Sequence, residues 1–173
     1  MAAIEAIATT YLEADATSVT FSSIPTTYEH LQIRMSSRNT LNYLQGGPRL
    51  TFNGTAGTAY SNHSMNAFNT TADAGSSETG LGMVRIPKNT TGNGDNNYVD
   101  RLLSGDYAPA VIDILDYRNA NKNTTVMAIS GSGITTAVPF VSFASGLFDD
   151  TTVITSITLA SDGSWMRGSV FNL

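Results

Sequence analysis

Two β-rich runs, Val111–Tyr117 and Thr124–Ile129, flank the polar hexapeptide Arg118 to Asn123 and set the pattern for the rest of the chain. The first run is apolar on both faces except at Asp113 and Asp116, as a strand well inside a sheet reads. The second carries β-branched Thr124, Thr125, Val126 and Ile129, so the pair predicts a central β-hairpin to which other strands add. Tyr28–Arg38 gives the cleanest alternation: Leu31, Ile33 and Met35 point one way and His30, Gln32, Arg34 and Ser36 the other. That is a half-buried strand with one face wet or covered by a partner.

Other elements follow from shorter signals. Ser18–Phe21 is a strand ended by the turn Ser22-Ser23-Ile24-Pro25, because Pro25 fixes its own φ and restricts Ile24. Arg49–Asn53 is a strand with Leu50 and Phe52 inward, a short strand is expected near Ala59–Met65, and Asn69 to Thr79 reads as an exposed loop. Leu81–Ile86 is a strand stopped by Pro87, and Lys88–Asn97 is a long polar loop. Gly131-Ser132-Gly133 is a turn, and Val138–Ala144 is a strand whose Pro139 suggests a start at a sheet edge. Val153–Ala160 and Trp165–Phe171 read as a last hairpin turned at Ser161-Asp162-Gly163-Ser164. Residues 1–17 form an N-terminal arm or first strand: Ile4, Ile7, Ala8, Tyr11 and Leu12 have helical spacing, but Thr9, Thr10 and Tyr11 favour a strand. The pattern predicts one all-β domain over residues 18–173, a single-domain antiparallel β-sandwich, jelly-roll-like, of about eight to ten strands.

Composition sharpens this reading. Charged residues are 13% of the 173, about half the usual ~25%. Their place is taken by 23 Thr, 18 Ser and 14 Asn, which suit strands and turns. A net charge of −5 with nine scattered Lys and Arg gives no basic stripe, so no nucleic-acid partner is expected. With no Cys there are no disulfides or thiolate metal sites. No apolar run approaches the ~18 residues of a membrane span, and MAAIEAIATTYLEAD lacks the look of a signal peptide. The expectation is a soluble chain made in a cytoplasm, with no membrane partner.

Candidate chemistry is sparse. His30 and His63 have no nucleophile elbow near them that would complete a triad with Asp106 or Asp113. Asp113 and Asp116 differ in strand parity and face opposite ways, and Asp149-Asp150 looks like a solvated turn. Asn93-Gly94-Asp95-Asn96-Asn97 lacks calcium-loop spacing. Asn-x-Ser/Thr triplets at Asn53, Asn62, Asn69, Asn89 and Asn123 are what this composition produces by chance. No catalytic, cofactor-binding or metal residue is assigned. Trp165, Phe140 and Phe143 are read first as core filling and second as partner contacts.

Ser18 to Ser37, SVTFSSIPTTYEHLQIRMSS, resembles a segment that recurs in structural proteins of tailed bacteriophages, especially phages of marine and freshwater bacteria. The similarity continues at Leu50-Thr51-Phe52-Asn53-Gly54, at Ile112 to Tyr117 with Asn121-Lys122-Asn123-Thr124, at Ile154 to Leu159, and at Ser169 to Leu173. The resemblance implies a non-enzymatic virion protein assembled in the bacterial host cytoplasm. The first role it implies is capsid decoration or cement, bridging capsomers by contact with the major capsid protein or other virion proteins. Ile4, Ile7, Tyr11 and Leu12 of the arm are then the expected partner contacts, and a homo-oligomer, a trimer, the expected state. The second role is a tail-associated or fibre-tip protein that binds host glycans through Asn69–Thr79 and Lys88–Asn97, with Tyr98 and Tyr107 nearby.

Overall fold

Strands that alternate apolar and polar residues need a second layer to bury their inward half. The chain supplies it as two sheets. A computed structural model describes residues 4–40, 49–68, 71–77, 81–82, 107–132 and 140–173. In chain order the strands are β1 (Thr9–Tyr11), β2 (Ala16–Phe21), β3 (Leu31–Ser37), β4 (Arg49–Phe52), β5 (Tyr60–Phe68) and β6 (Thr71–Ser77). They continue with β7 (Leu81–Gly82), β8 (Ala108–Leu115), β9 (Thr124–Ser132), β10 (Phe140–Phe148), β11 (Ile157–Trp165) and β12 (Val170–Asn172). The large sheet has the order β1-β12-β3-β8-β9-β10-β5-β6 and the small one β2-β11-β4-β7. Every pairing among the described residues is antiparallel. Among the described strands the chain changes sheet at most connections, and the meander β8–β9–β10 occupies three adjacent places in the large sheet.

One core lies between the layers. Val19, Phe21, Leu50, Phe52, Ile157, Leu159 and Trp165 of the small sheet share it with Leu31, Ile33, Met35, Ile112, Ile114 and Phe171 of the large one. Phe52 meets Phe148 edge-on at 5.3 Å, and Trp165 meets Phe171 edge-on at 5.3 Å, so aromatic rings bridge the layers at two places. Each such fully buried side chain is worth about 1.5–3 kcal/mol relative to exposure. Their polar atoms are also matched: the Trp165 Nε1–H donates to the Leu159 carbonyl at 3.0 Å, and the Phe52 N–H donates to the Tyr60 hydroxyl at 2.9 Å.

The central hairpin and the strands predicted at Ser18–Phe21, Tyr28–Arg38 and Arg49–Asn53 are present as β8–β9, β2, β3 and β4. β8 lies fourth in the eight-stranded sheet, but only one of its faces is covered: Ala108, Ala110, Ile112 and Ile114 are buried, while Pro109 and Leu115 are exposed and Val111 is half-buried. Four expectations change. The last hairpin is absent: β11 runs on through Ser161–Ser164, and its register against β2 shifts between Ala160 and Trp165. The Asp-Gly step sits in a bulge, a role glycine also suits. The reversal comes later, where Ser169 N–H bonds the Met166 carbonyl and Gly168 has φ +89°. Second, Thr71–Ser77, expected in a loop, pairs with β5 over its whole length as β6. Third, Gly131 and Ser132 extend β9 rather than turn. Fourth, β10 lies between β9 and β5 and not at an edge. The expected Lys88–Asn97 loop and the strand beyond Gly82 lie outside the described residues, as do Val138 and Pro139.

At the N-terminus the strand alternative holds from Thr9 to Tyr11. β1 pairs with β12, and the Ile7 and Leu12 N–H groups donate to the Leu173 and Ser169 carbonyls at 2.7 and 3.0 Å. This segment is therefore stitched to its own C-terminus.

Candidate interaction surface

Within the large sheet, β3 behaves as amphipathic strands do: Leu31, Ile33 and Met35 are buried and Arg34 and Ser36 exposed. β10 does the reverse. It buries Ser142 and Ala144 while Val141 is 55% and Phe143 40% exposed. Its neighbour β9 buries Val126, Ala128 and Ser130 and leaves Met127 44% and Ile129 51% exposed. On the other side β5 leaves Met65 62% exposed.

Register gathers these residues. Phe143 stands opposite Met65 on one side and Ile129 on the other, and Ile129 stands opposite Val111. With strands about 4.8 Å apart, Met65, Phe143, Ile129 and Val111 form a row roughly 14 Å long across four strands. Val141 lies beside the row on β10, opposite Gly131, and Met127 lies on its other side, opposite Ser145. Isolated exposed apolar side chains are ordinary, whereas contiguous sets of them on one sheet face are commonly found where proteins meet partners.

The rim is polar and internally satisfied. Arg34 Nε donates to Gln32 Oε1 at 2.7 Å, and Gln32 Nε2 donates to Asp113 Oδ1 at 2.7 Å. One guanidinium and one carboxylate thus sit on the rim, joined through a single amide. Exposed His63 borders the opposite side, across from Ser145.

Sequence-predicted contacts divide. Ile4 and Tyr11 are exposed, Ile7 packs partly on the core, and Leu12 is buried in it. Ile7 and Leu12 are thus fixed inward, which corrects the expectation of a four-residue gripping arm. Tyr11 pairs opposite Val170, and Val170 opposite Ser36, so it stands on the same outer face as the apolar row, at the far edge. Trp165 is core, as first read; Phe143 is 40% exposed, so its core reading does not hold. The Phe140 side chain lies outside the described residues. Met65, Met127 and Ile129 were not singled out, although the apolar parity of β9 and β10 was legible.

Asp113 and Asp116 do not converge. Asp113 belongs to the rim, while Asp116 ends β8 at φ +57° and pairs with Lys122 across the turn. The Asp116 N–H also donates to His30 Nδ1 at 3.0 Å. The hydrogen bond from the Lys122 ammonium holds the Asp116 carboxyl below its usual range. Asp150 is likewise lowered by hydrogen bonds from Thr152, whose N–H reaches Asp150 Oδ1 at 2.7 Å. Both act at turns and brace the same end of the large sheet. Tyr107 is also committed to the body: its hydroxyl donates to the Arg167 carbonyl at 2.5 Å. Gly168 is required beside it, because a Cβ there would lie 2.6 Å from the Tyr107 hydroxyl. Among the described residues no group of three or more His, Asp or Glu side chains could hold a metal ion.

No protein-family model, curated protein or solved structure matches this chain.

Proposed function

We propose that this chain is a non-enzymatic structural protein of a tailed-phage virion, a capsid decoration or cement protein that acts through protein–protein contact. The observation that carries this reading is the inverted half of the large sheet, where β9, β10 and β5 turn Met127, Ile129, Val141, Phe143 and Met65 outward. A sheet that buries Ser142 and Ala144 and exposes Val141 and Phe143 is arranged for a covering partner. Support also comes from the resemblance of Ser18 to Ser37 and the later blocks to phage structural proteins. Tail attachment is the competing position in the virion; of the residues it invokes, Tyr107 has its hydroxyl engaged by the Arg167 carbonyl.

Cryo-electron microscopy of the parent virion tests the reading. Density for a two-layer sandwich repeated over the capsid lattice is expected. Density at the tail alone would move the protein to the adsorption apparatus, and density at neither would overturn the proposal. Purified expanded capsids should bind the protein stoichiometrically, and Ile4→Asp, on the exposed N-terminal end, should leave its fold intact while reporting whether that end touches the shell.

A further inference from the structure

We infer that the outer face of the large sheet is a two-fold interface between two copies of this chain. This names the partner of the face invoked above; it rests on that reading for the face being a contact surface, not for the virion.

The register carries the argument. Consider two such faces packed at sheet-on-sheet distance, about 10 Å, with a two-fold axis between them that runs along the strands midway between β9 and β10. The operation exchanges β10 with β9 and β5 with β8 and keeps each residue's level along the strands. Phe143 then lies over Ile129 of the second copy, and Met65 over Val111, because all four share one level. Val141 lies over Gly131, and Met127 over Ser145, so each large side chain off the row faces a small one. At the level of Met127, Asp113 lies over His63, because Asp113 pairs opposite Met127 and His63 opposite Ser145. The carboxylate has acceptor capacity left after the Gln32 bond, and an imidazole N–H can use it. A face that fits its own reversed image is what an isologous dimer requires.

Charge and area agree. The chain is acidic overall, at −5, yet the face and its rim carry Arg34 against Asp113, so two copies meet there without like-charge repulsion. The axis overlaps six strands, from β3 across the sheet to β6, exchanging β3 with β6 as well. At seven to nine residues each they give a footprint of roughly 700–800 Å², close to the ~800 Å² per partner of a standard stable interface. A partner recognised by charge would find on the described face only a guanidinium and a carboxylate already joined through Gln32.

Sedimentation velocity on the full chain over a wide concentration range tests this, with unfolding curves of each variant as the control for folding. The wild type should sediment as a dimer. Ile129→Asp and Phe143→Asp should each weaken association at least tenfold while keeping a wild-type unfolding midpoint at low concentration. Asp113→Ala should weaken it by less. A monomer at all concentrations overturns the inference, as does a trimer, or a dimer indifferent to both Asp substitutions. If the wild type is monomeric but Ile129→Asp abolishes capsid binding, the face serves a different protein and the virion reading stands without the dimer. A dimer absent from the virion leaves the inference in place and removes the virion reading.

Discussion

β3 and β10 lie in the same sheet, both show two-residue alternation, and they turn it in opposite directions. In β3 the large apolar residues, Leu31, Ile33 and Met35, fill the core and the polar ones meet solvent. Along the middle of β10 small residues, Ser142 and Ala144, occupy the buried face and Phe148 fills it only at the strand's end, while Val141 and Phe143 are left outside. The same contrast runs through their neighbours, since β8 buries Ile112 and Ile114 whereas β9 exposes Met127 and Ile129. One half of the sheet thus buries its large apolar residues in the fold, and the other leaves part of its apolar area exposed. Burial inside a fold and burial against a partner draw on the same hydrophobic term, so the two halves should respond differently to the same mutation.

The largest expected difference is between isoleucines. Ile33→Ala should cost about 2–5 kcal/mol of unfolding free energy, because Ile33 is fully buried and leaves a cavity. Ile129→Ala, measured on the monomer, should change stability by no more than about 0.5 kcal/mol. Chemical denaturation of both variants checks the pair, and equal losses would break the comparison.

A second effect tests the link between the end of β4 and the segment that leads into β11. Asn53 sits at φ +52° and its Oδ1 accepts from the Thr155 and Ser156 N–H groups at 2.8 and 3.2 Å, while its Nδ2 donates to the Val153 carbonyl at 2.9 Å. Asn53→Ala removes these partners and leaves a Cβ residue in the left-handed region, for a loss of about 1–3 kcal/mol. An unchanged denaturation midpoint would show the connection to be held elsewhere.

Smaller still is Phe143→Ser, expected to leave monomer stability within about 0.5 kcal/mol. It should lower the binding of a hydrophobic dye to the native protein, and undiminished dye fluorescence would place the sticky surface elsewhere.

The smallest effect is electrostatic. Lys122 lowers the Asp116 carboxyl, so the folded state binds a proton there less readily than the unfolded chain. The resulting stability is present above the unfolded carboxylate value and is lost as pH falls through the lowered folded one. Denaturation midpoints followed down through the carboxylate range should therefore fall less steeply for Asp116→Asn than for wild type. Parallel acid limbs would show that this turn contributes nothing to the difference between the halves.

Much of the architecture was open to reading because strand alternation is local. Leu31 to Met35 and the β8–β9 hairpin declare themselves within a few residues, and Asp116 with its Asn-rich successors could only turn. β6 was not legible, since Thr71–Ser77 has no large apolar residue to set a parity, and its strand form depends on pairing with β5. The bulge in β11 escaped because Asp-Gly suits a tight turn and a bulge alike, and what decided between them was that Trp165 stays paired with β2 and is buried in the core. For the candidate surface, Phe143 was visible as an aromatic of uncertain duty, whereas Met65, Met127 and Ile129 had no mark of their own.

The sequence by itself determined that this is an all-β chain and which residues of each strand share a face, because a two-residue period is a property of the extended backbone. Only the tertiary structure decided which of those faces the second sheet covers. Among the described residues the small sheet sets four strands against eight, and the second layer covers one face of the large sheet, so Val126, Phe148 and Tyr60 are buried while Met127, Ile129, Val141, Phe143 and Met65, on the opposite face of the same strands, are not.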